Sequence, residues 1–213
     1  MKKNSMNIPN ILSIIRCLLV PVFVLTLIYM RGLGIWGYIV PAAVYGVTAL
    51  TDMLDGKIAR KYNLVTDFGK FIDPLADKFM VISSMISILV WMLLKNDLKN
   101  NETLALVFLW VVLVILLREL GVTSLRLVVA GNSGIVVAAS ILGKIKTVSQ
   151  MVGTVVLILE PAIPMVIKNV SVIDFVCENH ILSYICMAVM AFTTLFSGID
   201  YLKAYMPYID SNK

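Results

Sequence analysis

A chain of 213 residues that is 60% hydrophobic and only 15% charged has too little polar surface to coat a water-soluble globule, so its composition excludes an ordinary soluble domain and points to a protein embedded in lipid. Its net charge of +5 comes without interleaved aromatic and basic residues, which excludes a nucleic-acid face and leaves membrane orientation and attraction to anionic lipid as uses of the excess. Cys17, Cys177 and Cys186 lie scattered in or beside apolar segments, giving neither a disulfide framework nor a paired metal site, and read as packing residues.

Six apolar segments are long enough to span, since a crossing helix needs about 20 residues: Ile11 to Met30, Gly37 to Asp55, Leu75 to Leu94, Leu104 to Leu127, Thr147 to Ile167 and Ile181 to Leu202. The expected fold is therefore all-α, a single polytopic membrane domain over residues 1–213 with six transmembrane helices around a polar cavity. Ahead of the first span, Lys2 and Lys3 suit a snorkelling tail, and Asn7-Ile8-Pro9-Asn10 interrupts the chain. No small-residue cleavage site follows the first apolar run, so that run is expected to be a retained helix. Arg16 lies a turn and a half inside it; intramembrane charges face a partner or a wet cavity, so Arg16 and Asn10 are expected to look into a polar chamber.

The second and third spans are joined by DMLDGKIARKYNLVTDFGKFIDPLADK, Asp52 to Lys78. Asp52, Asp55, Gly56 and Ala59 fall on one stripe of a helix; after a turn through Lys61, Tyr62 and Asn63, Thr66, Gly69, Asp73 and Asp77 form a second. Two such helices facing each other present four carboxylates across a gap that Gly56, Ala59 and Gly69 keep open. Asp67, off both stripes, reads as a solvated loop charge. Each acid near the bilayer centre costs about 2.5–3.5 kcal/mol. Lys57, Arg60, Lys61, Lys70 and Lys78 lie mostly off the acid stripes, so hard divalent cations are the better-fitting counter-charge, and two of them suit phosphoryl chemistry.

The fourth span carries Arg118 and Arg126 eight residues apart, close to one face, with Glu119 beside the first; Lys144 and Lys146 open the fifth after a turn from Gly131 to Gly143. With Arg16 they can form a basic wall that holds a phosphate, unless they are spent on Glu119, Asp200 or lipid headgroups. Arg31 to Trp36, Lys95 to Thr103 and Lys168 to His180 look like patternless connectors; His180 reads as a surface or interface residue and Glu160 receives no role. Sorting the cations by these spans puts Lys2, Lys3, Arg16, Lys57, Arg60, Lys61, Lys70, Lys78, Arg118, Arg126, Lys144, Lys146, Lys203 and Lys213 on the side of the acids and Arg31, Lys95, Lys99 and Lys168 on the other. Fourteen against four makes the acidic face cytoplasmic. No Ser, Cys or His is placed near both a base and the acids in a recognisable nucleophile arrangement, which leaves a carboxylate base and direct displacement as the simplest chemistry.

Asp52, Asp55-Gly56, Ala59-Arg60, Gly69, Asp73 and Asp77, at their spacings, resemble the signature of the CDP-alcohol phosphatidyltransferases at every fixed position. The resemblance implies a phosphatidyl or related group moved from a CDP-linked lipid to an alcohol, with CMP released and two divalent ions, Mg2+ or Mn2+, on Asp52, Asp55, Asp73 and Asp77. It further implies that Asp77 takes the proton, that Gly56, Ala59, Arg60, Thr66 and Asn10 receive the nucleotide, and that the enzyme is a homodimer. Outside the signature, NIPNILSIIR, VTDFGKFIDPLADK, RELGVTSLR and GKIKT resemble the bacterial branch of that family that makes phosphatidylglycerophosphate. That implies CDP-diacylglycerol and sn-glycerol 3-phosphate as substrates, in a bacterial inner (cytoplasmic) membrane. An acceptor that carries its own phosphate agrees with the wall of Arg16, Arg118, Arg126, Lys144 and Lys146. The alternatives are a sibling enzyme using inositol phosphate, serine or phosphatidylglycerol, or a divalent-cation transporter lined by the same acids.

Overall fold

A backbone that crosses lipid must satisfy its own N–H and C=O groups, and a chain of long apolar runs does so by forming helices. The computed structural model describes residues 7–62, 67–94, 98–133, 140–168 and 170–210, without the side chains of 8, 9, 52–62, 67, 70, 98–101, 130, 132, 133 and 208–210. Every regular element among the described residues is helical. Helix α1 covers Ile8–Tyr29, with Pro9 in its first turn where no N–H is needed, and runs into a 3-10 turn at Met30–Gly32. Helices α2 (Trp36–Tyr62), α3 (Asp67–Leu93) and α4 (Leu98–Ser133) follow. Helix α5, Ile141–Leu159, is capped by the Ser140 hydroxyl, which accepts the Gly143 N–H at 3.2 Å. A 3-10 turn (Glu160–Ala162), the short α6 (Ile163–Val166), α7 (Ser171–Glu178) and α8 (Ile181–Asp210) complete the chain.

The six long helices form two groups of three. Helix α1 packs on α2 and α3, α8 packs on α4 and α5, and contacts of α3 with α4 and α5, and of α2 with α5, join the groups. Buried Phe23, Tyr45, Ile88, Phe108, Ile115, Leu157 and Met187 form the interior, while Leu18, Trp110, Leu117 and Phe192 point outward as a lipid-facing side does. Helices α5 and α8 approach closely at Gly153, where a Cβ would lie 2.7 Å from the buried Met190 sulfur. Five described helical stretches are long and apolar enough to cross a membrane: Asn10–Gly32, Phe71–Leu93, Glu102–Val129, Ile141–Val166 and Ile181–Pro207. The sixth expected span falls on α2, a 27-residue helix whose side chains beyond Thr51 lie outside the described residues.

Three local expectations change. Lys61 and Tyr62 continue α2 and do not turn, and α4 runs well past both ends of its apolar core, because a helix of polar residues costs nothing extra once it leaves the lipid. The segment 168–180 is also more than a connector. Pro161 and Pro164 break the ladder after α5, and the amphipathic α7 then returns the chain to α8. His180, with φ 52°, forms the α7–α8 corner on the end away from the acids.

Glu160 acquires a role that the sequence did not reveal. Its side chain is 0% exposed, yet its carboxylate accepts the Leu182 and Ser183 N–H groups, each at 3.0 Å, and the Ser183 hydroxyl. It thus caps α8 from the end of α5, a contact across 22 residues that satisfies N–H groups with no partner in their own helix and places a negative charge at the positive helix end. Glu160→Ala is expected to lower stability by about 1–2 kcal/mol, read as a drop in melting temperature in detergent; an unchanged melting temperature would show the cap to be idle. All three cysteines are free. Burial, then the charges of Glu160 and Asp174, push the Cys177 thiol above its ordinary pKa, in keeping with a packing residue.

Candidate active site

The helices bring the starts of α1, α3 and α5 and the ends of α4 and α8 to one end of the bundle. On α1, Asn10, Ser13 and Arg16 recur every three residues and are all buried. On α3, Asp73 and Asp77 stand one turn apart on the facing side. The Ser13 hydroxyl donates to Asp73 Oδ1 at 2.5 Å, and Arg16 Nη1 donates to Asp77 Oδ1. Arg16 is 0% exposed whereas the Asp77 side chain is 52% exposed. The cation therefore sits behind the acid, compensating its charge from the protein side and leaving the carboxylate's outer edge accessible. The sequence put Arg16 on a basic wall opposite the acids; it lies instead against one of them.

The second cluster lies between α4, α5 and α8. Arg118 donates to Glu119 at 3.1 Å through Nη1 and to the Ser197 hydroxyl at 2.7 Å through Nη2. Lys146 donates to the same Glu119 carboxylate. The ring of Tyr201 lies 5.2 Å from the Arg118 guanidinium carbon and 5.9 Å from that of Arg126. Gly198 gives the stem of Arg118 room, since a Cβ there would lie 3.3 Å from it. Arg118, Arg126 and Lys146 are thus gathered as expected, with Glu119 offsetting one charge of three. Lys144 is not gathered: two residues from the buried Lys146, it points to the opposite helix face and is exposed.

Lys78 joins the clusters. It follows Asp77 on α3 and donates to the Thr123 hydroxyl on α4, which in turn donates to the Glu119 carbonyl at 2.6 Å. A line of polar groups therefore runs from the acids of α3 to the cations of α4 and α5. Helices α2 and α3 meet at the far end, where Tyr38 and Trp91 pack edge to face with centroids 6.0 Å apart. Among the described residues α2 packs mainly on α1 and α5, and α3 mainly on α1 and α4.

The backbone of α2 is helical through Tyr62, so Asp52, Asp55, Gly56, Ala59 and Arg60 occupy a helix as expected. Their side chains, that of Asp67 and all of Thr66 lie outside the described residues. Among the described residues no three candidate ligands converge, since two of the four expected ones are in α2. The donor chemistry that is described fits hard divalent cations: Asp73 and Asp77 offer carboxylate oxygens one turn apart, with a hydroxyl and a guanidinium behind them.

Ser13, Thr123, Ser197 and Tyr201 received no role from the sequence, and Lys78 was placed only as a cation off the acid stripes. Ser13 was legible in principle, midway between Asn10 and Arg16 at helical spacing; Ser197 and Tyr201 flank Gly198 in an apolar span and become informative only once Arg118 is known to face them.

The sequence model described as CDP-alcohol phosphatidyltransferase matches residues 6–196. The chain is 36% identical over 209 residues to the CDP-diacylglycerol--glycerol-3-phosphate 3-phosphatidyltransferase of Bacillus subtilis (strain 168), covering 92% of this chain and 94% of that protein. It is 37% identical over 207 residues to the protein of the same name from Rickettsia typhi (strain ATCC VR-144 / Wilmington), covering 95% and 98%. It is also 34% identical over 196 residues to a probable phosphatidylglycerophosphate synthase of Mycobacterium tuberculosis (strain ATCC 25618 / H37Rv), covering 92% and 80%.

Proposed function

Because the chain belongs to the CDP-alcohol phosphatidyltransferase family, we propose that it moves the phosphatidyl group of CDP-diacylglycerol to sn-glycerol 3-phosphate, giving phosphatidylglycerophosphate and CMP. The observation that carries the choice of acceptor is the cluster of Arg118, Arg126 and Lys146, where Arg118 and Lys146 share one carboxylate and Arg126 lies by the Tyr201 ring, leaving positive charge for an acceptor that is itself a phosphate. Relatives covering nearly their whole length bear the name of this activity.

In this reading an acceptor hydroxyl attacks the phosphorus that bears the diacylglycerol. A new oxygen–phosphorus bond forms, the bond to CMP breaks, and the hydroxyl proton passes to Asp77, whose accessible edge faces the site. Arg16 holds Asp77 in place and Ser13 holds Asp73. Arg118 and Lys146, steered by Glu119 and Ser197, seat the acceptor phosphate, with Arg126 at its rim and Lys78 between the two substrates. Exposed Lys144 is better suited to lipid headgroups than to that seat. Asn10, Gly56, Ala59, Arg60 and Thr66 receive the cytidine diphosphate. The family is divalent-metal dependent. Asp52, Asp55, Asp73 and Asp77 would hold two such ions, Mg2+ or Mn2+, which supply charge neutralisation for the diphosphate and the departing CMP.

The chain is a membrane protein. The distribution of its Lys and Arg supports six spans in one domain, with the site facing the cytoplasm across the bacterial inner membrane, where nucleotide-activated lipid is made. A homodimer accords with the family resemblance.

The test is CMP release from CDP-diacylglycerol by the purified protein, with and without glycerol 3-phosphate and magnesium. Release is expected only when both are present, with phosphatidylglycerophosphate as the lipid product. Release supported by serine, inositol phosphate or phosphatidylglycerol in its place would assign a different acceptor. Metal uptake into liposomes without any CMP release would replace the enzyme reading altogether.

A further inference from the structure

We propose that Tyr201 is a positioning residue that holds two arginines ready for one phosphate without neutralising them. The inference rests on the reading of the Arg118–Arg126 cluster as the acceptor-phosphate seat.

Two guanidinium groups gathered in one place repel each other, and each long side chain carries about 2 kcal/mol of rotamer entropy that must be overcome to hold it still. A carboxylate would solve both problems but would also cancel charge the phosphate needs, so the single Glu119 is shared between Arg118 and Lys146 and offsets only one of their two charges. An aromatic ring attracts a cation through its negative face and leaves the positive charge whole. Tyr201 does this for both: its centroid is 5.2 Å from Arg118 Cζ and 5.9 Å from Arg126 Cζ, and among the described residues no carboxylate pairs with Arg126.

Tyr201 is itself held. It is 4% exposed, and the ring of the fully buried Tyr205 stacks on it at 6.3 Å and 15°. Its hydroxyl accepts the Ser140 N–H at 3.4 Å. Gly143 passes close by, since a Cβ there would lie 3.3 Å from the hydroxyl oxygen. Ser140 is the cap of α5, so the same side chain that backs the α4 arginines also touches, through one long hydrogen bond, the start of the helix that carries Lys146. One residue of α8 thereby touches both arginines of α4 and the cap of α5.

The experiment compares Tyr201→Phe with a protein carrying a trifluorinated phenylalanine at 201, which keeps the shape of the ring and depletes its negative face. Binding of inorganic phosphate is read by thermal shift on the full-length protein in detergent, at constant ionic strength and without divalent metal. KM for glycerol 3-phosphate and for CDP-diacylglycerol is measured in parallel. Tyr201→Phe is expected to stay within about twofold of the parent, and the fluorinated ring to weaken phosphate binding and raise the glycerol 3-phosphate KM by about three- to tenfold, with kcat and the CDP-diacylglycerol KM unmoved. Equal phosphate affinity in the Phe and fluorinated proteins would overturn the proposal, as would a loss confined to kcat. Phosphate binding reports on Tyr201 whichever acceptor the enzyme uses. A parent enzyme that binds phosphate but makes no lipid from glycerol 3-phosphate would sink the substrate reading, and the role of Tyr201 would then be decided by the phosphate affinities alone.

Discussion

Asp77→Asn protein should release CMP about 10²–10⁴-fold more slowly than the parent at saturating substrates, the loss typical of a removed general base. The exchange keeps a side chain of the same shape and an oxygen that can still accept from Arg16 Nη1, so the buried guanidinium is not stripped of that contact. Melting temperature should therefore stay near that of the parent. Asp77→Ala is the informative contrast: it deletes one of the groups that hold Arg16, which is 0% exposed, and should cost stability as well as activity. An Asp77→Asn enzyme retaining more than a tenth of the parent kcat would remove Asp77 from the proton path.

Arg118→Ala should raise the KM for glycerol 3-phosphate by about 10–100-fold, since a hydrogen bond to a charged group is worth about 1.5–3 kcal/mol and 1.4 kcal/mol is a tenfold change. The KM for CDP-diacylglycerol should move little, because the groups assigned to the nucleotide lie on α1, α2 and the α2–α3 junction. Arg118→Lys should fall between, as it restores the charge but neither the fork that reaches Glu119 and Ser197 nor the flat face that lies by Tyr201. If Arg118→Ala left the glycerol 3-phosphate KM untouched, the phosphate seat would have to be elsewhere.

The Asp77 and Arg118 variants separate two clusters that the sequence had merged into acids on one side and a single basic wall on the other. Arg16 marks the difference. Its position inside an apolar run establishes that it must have a polar partner, but whether that partner is a substrate phosphate or a protein carboxylate depends on which helix lies against α1. Helix α3 does, and Arg16 belongs to Asp77. Lys144 and Lys146 make the same point locally. Both are basic and close in sequence, and their opposite directions on a helix send one inward to Glu119 and leave the other exposed.

What the sequence determined by itself is everything carried by local periodicity. Runs of about 20 apolar residues require membrane helices, because lipid offers the backbone no other partner. Acids at three- and four-residue spacing mark a candidate site, because one turn of helix brings them to one face. What only the tertiary structure decided is which faces meet. Glu160 capping a helix 22 residues away, Lys78 reaching Thr123, and Tyr201 backing arginines from another helix are all contacts between elements. In lipid every outward face is as apolar as the core, so hydropathy marks the spans without telling which side of each turns inward; that choice falls to the packing of small, polar and charged side chains across the interfaces.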